Sequence, residues 1–271
     1  MNRKFPIKRF GQNYLRDENI IHKIISEISP KSDDLIIEIG PGEGALTSKL
    51  IEKTDWLIAV EVDRRNVDVL KVKFPKLQLI SGDFLELDLN TIFNKYNKKL
   101  RLIGNIPYNI TSPIIFKMIE NKEIIHDSVL MVQHEVAQRI IAKSGGKEYG
   151  ILSVITQNFA DVKLCFKVSP NVFYPRPKVH SAIIHLYFKE NSDDRKDYET
   201  FIQIVKAAFG NRRKMLYNSL KNSIFGHLNF NKTGIDLSLR AEKLSIKDFR
   251  ILAKFTSEQI DKAYLEKSGK Q

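Results

Sequence analysis

One junction constrains the fold of this 271-residue chain more than any other: the apolar, β-branched run Leu35-Ile36-Ile37-Glu38-Ile39 meets Gly40-Pro41-Gly42-Glu43-Gly44. Five such residues suit a buried strand and are too few for a helix. Ala45-Leu46-Thr47-Ser48-Lys49-Leu50-Ile51 follows with helix-like spacing. Strand, tight turn and helix in succession predict the start of a parallel α/β sheet. Glycines at 40, 42 and 44 let the backbone turn sharply and approach a ligand closely. Gly40, Gly42 and Ala45 also satisfy a loose dinucleotide fingerprint, in which a pyrophosphate rests on a helix N-terminus. Glu38 favours another occupant, because an acid at the strand end repels pyrophosphate and suits a cationic amino-acid group.

Two further strands are predicted at Leu57–Val60 and Leu77–Ile80. The first ends in Glu61, placed to accept from both hydroxyls of a ribose, and the second delivers Asp83 and Phe84, an acceptor for an adenine amino group and a cover for a ring face. Any one of these acids could simply cap the next helix. Three at successive strand ends point to a ligand, since open α/β sheets bind ligands at the carboxyl ends of their strands.

A fourth strand, Leu100–Gly104, runs into Asn105-Ile106-Pro107-Tyr108. An exocyclic amine is a weak nucleophile because its lone pair is delocalised into the ring. Asn105 Oδ1 and the Ile106 carbonyl can hold such an amine in a pyramidal geometry, and Pro107 restricts Ile106 to extended conformations that aim the carbonyl. Tyr108 offers a face on which a base can stack. A nucleoside-cofactor loop joined to an amine-holding pocket points to methyl transfer from S-adenosyl-L-methionine to a nucleobase nitrogen.

With these motifs the chain resembles the ribosomal RNA adenine dimethyltransferases, and within them the branch acting on small-subunit (16S) rRNA. The resemblance extends over nearly the whole chain. It includes Phe10-Gly11-Gln12-Asn13-Tyr14-Leu15, Gln133 with Glu135-Val136-Ala137, Tyr149-Gly150 with Leu152-Ser153, and Phe173, Pro175, Pro177-Lys178-Val179 and Ser181. Asn211-Arg212-Arg213-Lys214, Gly234-Ile235-Asp236 and Arg240-Ala241-Glu242 complete it. The resemblance implies a class I (Rossmann-like) methyltransferase sheet with a small C-terminal all-helical domain. It also implies a cofactor site lined by Asn13, Leu15, Gly40, Glu61, Asp83 and Asn105, and a target adenine sandwiched by Tyr108 and Phe173. The product would be N6,N6-dimethyladenosine near the 3′ end of 16S rRNA in the immature small subunit. His180 departs from the pattern, standing where many relatives are expected to carry an acid. A large-subunit rRNA dimethyltransferase of the antibiotic-resistance type shares the catalytic motifs, and a ribosome-assembly factor on the same scaffold is the alternative from another class. The Phe173–Ser181 pattern and the tail motifs favour the small subunit; intact Glu61, Asp83 and Asn105 favour catalysis.

A formal net charge of +12 favours a polyanionic partner. Residues 1–16 carry Arg3, Lys4, Lys8, Arg9 and Arg16 with no acid before Asp17, an arm suited to phosphates. Cys165 is the single cysteine, which excludes an internal disulfide and a cysteine-based metal cluster. Six scattered histidines show no ligand spacing, so no metal is expected. The basic N-terminus lacks a following apolar segment, and no apolar run reaches the ~18 residues of a membrane span. A soluble, cytoplasmic monomer is the expectation.

Segments Asp161–Val168 and Val179–Phe188 predict a terminal antiparallel pair with a Pro-rich connection over the active site. The polar stretch from Glu190 to Asp197 reads as a linker, giving a methyltransferase domain at 1–190 and a helical RNA-binding domain at 191–271. In the tail, Phe201, Ile204, Val205 and Ala208, then Leu216, Leu220 and Ile224, then Phe249, Leu252, Ala253 and Ile260 recur at helical spacing. Ser245 with Asp248 marks a helix start. Arg212, Arg213 and Lys214 are the candidate RNA contacts of the tail, against the alternative of a solvated basic turn.

Overall fold

The computed structural model describes residues 12–190 and 195–268. In chain order β1 (Tyr14–Leu15) and α1 (Glu18–Ile28) lead into four strand–helix units. These are β2 (Leu35–Ile39) with α2 (Thr47–Leu50), β3 (Trp56–Glu61) with α3 (Arg64–Lys73), β4 (Gln78–Ser81) with α4 (Leu89–Tyr96), and β5 (Leu100–Asn105) with α5 (Thr111–Glu120). Next come β6 (Ile125–Gln133), α6 (His134–Ile141), α7 (Ile151–Phe159), β7 (Ala160–Val168), β8 (Phe173–Tyr174) and β9 (Ser181–Phe188). Helices α8 (Arg195–Phe209), α9 (Leu216–Lys221) and α10 (Ile246–Ser268) follow.

The central sheet has the order β4-β3-β2-β5-β6-β9-β7. Its first five strands are parallel, β9 is antiparallel to β6, and β7 is antiparallel to β9. The expected mostly parallel sheet with an antiparallel terminal pair is therefore present. Strand order reverses between β2 and β5, which creates the crevice where ligands of open α/β sheets bind. All five residues of β2 are buried, as a central parallel strand requires. Gly104 on β5 is demanded by the packing there, since a Cβ would lie 2.6 Å from the Ile39 carbonyl oxygen.

Three features differ from the sequence expectation. The helix expected at Ala45–Ile51 is reduced to the four residues of α2, because turns occupy its approach. Strand β6 did not stand out: Asp127 and Ser128 interrupt its apolar run, yet both are buried within the sheet. The long connection between β7 and β9 contains β8, which pairs antiparallel with β1 through Tyr14 with Tyr174 and Leu15 with Phe173.

Contacts divide the chain into two compact units: residues up to Gln138 together with Phe159–Glu190, and Arg139–Asn158 together with the chain after Glu190. In the first, Leu15, Ile21, Ile24, Ile28 and Leu50 belong to one buried cluster with Val168, Phe173 and Ile183. In the second, α8 and α10 bury Phe201, Ile204, Val205, Phe249 and Leu252. The segment 139–158 joins this unit through Tyr149, whose ring meets Phe209 edge-on at 6.3 Å. Ser245 and Asp248 form a reciprocal cap at the start of α10: Asp248 Oδ2 accepts from Ser245 N at 2.8 Å, and Ser245 Oγ accepts from Asp248 N at 3.2 Å. Ile224 leaves the expected helical stripe, since α9 ends at Lys221 and Ile224 is 72% exposed.

Candidate active site

A cavity of about 300 Å³ in the first unit opens at the carboxyl ends of β2, β3, β4 and β5. Asn13, Leu15, Glu38, Gly40, Gly42, Glu61, Asp83, Phe84, Asn105, Ile106, Pro107 and Tyr108 all line it. The floor is acidic. Glu61, 4% exposed, accepts from Gly42 N at 3.0 Å, Asp63 N at 2.8 Å and Asn66 Nδ2 at 3.3 Å. Burial nevertheless holds its carboxyl above the ordinary value, outweighing those hydrogen bonds. Glu38, 1% exposed, accepts from Thr47 Oγ1 at 2.6 Å. Burial pushes its carboxyl up to about 7, and the Glu61 charge adds to the rise. Among the described residues no ion pair engages either acid.

Asp83 is exposed and caps the 3-10 turn Phe84–Glu86, accepting from Leu85 N at 2.8 Å while its residue also borders the cavity. The capping role and the ligand role are compatible, because a carboxylate has about four lone-pair sites. Asp63, the N-cap of α3, belongs to a different class: Arg65 clasps it, and chiefly that hydrogen bond pulls its carboxyl down to about 2.

Asn105, the last residue of β5, donates from Nδ2 to the Asn13 carbonyl at 2.8 Å. This fixes the amide so that Oδ1 is its remaining acceptor. Pro107 follows with φ −58 and ψ 133, and Tyr108 opens the next turn. The Tyr108 hydroxyl meets Ser181 Oγ at 2.7 Å, and burial raises its pKa. Ser181 begins β9 and is fully buried, so it anchors the ring from below.

Phe173 is not brought to the cavity. It is 5% exposed in β8, paired with Leu15 and packed in the hydrophobic cluster, so the two-sided sandwich is not assembled in this structure. Burial of a large ring against Ile and Leu side chains explains the placement. Phe173 instead supports Leu15, which does line the cavity.

Around Asn13 and Leu15, the contacts of the neighbouring side chains carried no sequence signal. Residues 12–16 form a strap over the glycine loop: Gln12 Nε2 donates to Asp63 Oδ2 at 2.8 Å, and Arg16 Nη2 lies 2.6 Å from Glu43 Oε2. Tyr14 covers Gly42, whose φ is +59 and whose added Cβ would lie 3.0 Å from the Tyr14 ring. Only glycine serves there on both counts. Of the basic N-terminal arm, Arg16 alone lies among the described residues, and Glu43 pairs with it. The contacts of Asn66 with Glu61 and of Ser181 with Tyr108 are likewise recognisable only once the chain is folded.

A profile of the ribosomal RNA adenine dimethylases matches residues 5–258. The chain belongs to that family. Within its wider circle, the ribosomal RNA small subunit methyltransferase A of Francisella tularensis subsp. novicida is 43% identical over 254 residues, covering 92% of this chain and 97% of that protein. The protein of the same name from Chlorobium phaeobacteroides is 44% identical over 247 residues, covering 91% and 92%. Among solved structures, a dimethyladenosine transferase from Plasmodium falciparum superposes with a TM-score of 0.76 at 26% identity, covering 90% of this chain and 98% of the other. The 23S rRNA methyltransferase ErmE superposes with a TM-score of 0.66 at 24% identity, covering 90% and 99%, and supports the fold alone. The sheet is thus the Rossmann-like methyltransferase sheet that the sequence resemblance implies, and the chain is an enzyme of the methyltransferase class.

The tail motif is divided in its tasks. Arg212 Nε lies 3.2 Å from Glu242 Oε2, and its Nη2 donates to the Lys147 carbonyl, so this side chain ties parts of the second unit together. Arg213 and Lys214 are exposed. No described helix is long and apolar enough to cross a membrane, and no described group of three or more His, Cys, Asp or Glu could hold a metal ion.

Proposed function

We propose that this enzyme transfers methyl groups from S-adenosyl-L-methionine to N6 of adenosines near the 3′ end of 16S rRNA, forming N6,N6-dimethyladenosine during small-subunit biogenesis in the cytoplasm. The observation that carries the reading is the pair of buried acids Glu38 and Glu61, with no cation on either among the described residues, beside an Asn105 amide whose orientation the Asn13 carbonyl fixes. The cavity fits such a cofactor. Its volume suits a nucleoside with an amino-acid arm, its floor suits a cation, and a Cβ on Gly40 would meet no protein atom within 4 Å.

When bound, S-adenosyl-L-methionine supplies an electrophilic methyl group on a cationic sulfur. Glu61 is the acceptor for the ribose, Glu38 offsets the cationic arm, and Asp83 and Phe84 take the adenine amino group and ring. Asn13, Leu15, Gly40 and Gly42 shape the walls. At the substrate end, Asn105 Oδ1 and the Ile106 carbonyl accept from the target amine and stabilise the positive charge that grows on nitrogen, while Pro107 aims the carbonyl and Tyr108 stacks on the base. Phe173 backs Leu15 and would face the base only after β8 shifts. The proton released from the methylated nitrogen passes to water, so no strong base is needed. Catalysis belongs to residues 1–190, and the grip on RNA to 191–271, with Arg213 and Lys214 on phosphates and Arg212 holding their turn.

The test supplies immature small-subunit particles that lack the modification, with radiolabelled cofactor, then digests the RNA for mass analysis. Dimethyladenosine near the 3′ end of 16S rRNA is expected, and large-subunit RNA should be a poor substrate. Preferential labelling of large-subunit RNA would assign the resistance-type activity instead, and labelling of neither would contradict the enzymatic reading.

A further inference from the structure

Within the second unit, residues 200–235 carry six Lys and Arg side chains and no Asp or Glu. Inside that stretch lies a cavity of about 230 Å³ whose walls include Tyr217, Lys221, His227, Asn229, Phe230 and Asn231. Its base is apolar and fixed: Leu220, Phe230 and Leu237 are buried. Its rim is aromatic and basic. Tyr217 is 45% exposed, and Lys221 Nζ stands 5.7 Å from the centre of its ring. The backbone that carries Tyr217 is held, its N–H donating to the Leu237 carbonyl at 2.9 Å. Asn229 caps the turn at Asn231, accepting from its N–H at 3.2 Å, so two amide side chains are stationed at the mouth. Asp236, the first acid beyond the stretch, is engaged in its own turn by Ser238 N at 2.9 Å and Ser238 Oγ at 2.6 Å. Arg213 and Lys214 precede the exposed ring by four and three residues.

A half-exposed ring on a hydrogen-bonded backbone, a cation against it, two more shortly before it in the chain, amide groups in the same cavity and no acid in the same stretch form a stacking platform for single-stranded nucleic acid. A solvated surface would not need an exposed Tyr over an apolar hollow, and a protein-binding hot spot would not need this charge. We infer that this cavity is a second base-binding site, separate from the methyl-transfer cavity, which takes one unpaired nucleotide of the RNA substrate with its base on Tyr217 and its flanking phosphates on Lys221, Arg213 and Lys214. The inference deepens the proposed function and rests on its RNA-substrate reading. It gives the tail a way to select RNA that offers an unpaired nucleotide, beyond holding charge.

The full-length protein and its Tyr217→Ala and Tyr217→Phe variants are titrated with a labelled single-stranded 12-mer of oligo(A) and with a duplex of equal length. Tyr217→Ala should weaken binding of the single strand by about 5- to 150-fold, the range for loss of one base–aromatic stack, and duplex binding by less than about 2-fold. Tyr217→Phe keeps the ring and should bind within about 2-fold of the parent. Ultraviolet cross-linking of the oligonucleotide, followed by peptide mass analysis, should mark the segment holding Tyr217. Unchanged single-strand binding by Tyr217→Ala, an equal loss on single strand and duplex, or a failure of Tyr217→Phe to retain affinity would each overturn the site. Methylation of 16S rRNA by the parent is read alongside. Normal methylation with Tyr217-independent binding defeats this inference alone, whereas Tyr217-dependent binding without methylation defeats the proposed activity and leaves the site standing.

Discussion

Buried carboxylates sit at both ends of the central sheet, in opposite surroundings. At the carboxyl ends, Glu38 and Glu61 are buried with no ion-pair partner among the described residues, and burial raises both carboxyls. At the other ends, Asp127 is equally buried, and burial alone would raise it. Arg101, at 2.7 and 2.8 Å, and His185, at 2.8 Å, overcome that penalty and hold its carboxyl below the ordinary value. Arg101 also reaches Asp34 at 2.5 Å and the Ile28 carbonyl at 2.6 Å, while Glu27 joins through His185 Nδ1 at 3.2 Å. Strand β5 connects the two regions, with Arg101 near one end and Asn105 at the other. One end is an internally satisfied polar network; at the other, no cation among the described residues pairs with the acids. Uncompensated buried charge is costly, and it persists where a ligand compensates it.

Arg101→Met should give the largest loss of stability. Removing one member of a buried ion network costs about 3–5 kcal/mol, because the remaining charges are left unpaired. Chemical denaturation reads this directly, and cofactor affinity of the folded fraction should stay near that of the parent. Equal damage to cofactor binding would break the separation between the two ends.

Asn105→Ala should be nearly as large, but in rate. Loss of one preorganised polar group at the reacting amine predicts a fall of about 10²–10³-fold in single-turnover methylation, with RNA affinity and stability little changed. Near-normal turnover would move the task to another group.

Much of the carboxyl-end region was legible in the sequence, because its signals are local. Glycine positions, acids at strand ends and the Asn105–Tyr108 run each follow from short-range geometry. What was not legible depends on contacts distant in sequence. Phe173 in a Pro-rich connection looks the same whether it stacks on a base or pairs with Leu15 across 158 residues. Arg212 is indistinguishable from Arg213 in a basic run, and only the fold brings Glu242 and Lys147 to it. The charged end was missed as a unit, since Arg101, Asp127 and His185 lie on three different strands and only the fold brings them together.

The two ends should also answer pH in opposite senses. Glu38 has a folded-state value raised from 4.5 to about 7. The fold therefore holds its proton more tightly than the unfolded chain, and stability of the cofactor-free protein should fall as pH rises through that window, the whole cost being present above it. Glu38→Gln should remove a slope amounting to roughly 3 kcal/mol between those limits. Asp127 is lowered, so its contribution is present above the unfolded value of 3.8 and is lost as pH falls below it. Denaturation series across pH would show the first slope flattened in Glu38→Gln and the acid limb unaltered.

In the second unit, replacing Arg213 and Lys214 by Gln should make the salt dependence of RNA binding shallower by up to about two units of slope. Arg212→Gln should change that slope less and lower the melting temperature of the protein, consistent with its tie to Glu242. A larger slope change from Arg212 alone would reverse these assignments.

The most direct test of the unpaired-acid account is calorimetric titration of S-adenosyl-L-methionine into the parent protein and Glu61→Gln, with folding of both checked by denaturation. Binding to Glu61→Gln should be weaker by about 1.5–3 kcal/mol, the range for hydrogen bonds to a charged group, with fold stability unchanged or slightly raised. An unchanged dissociation constant in a folded Glu61→Gln protein would contradict it.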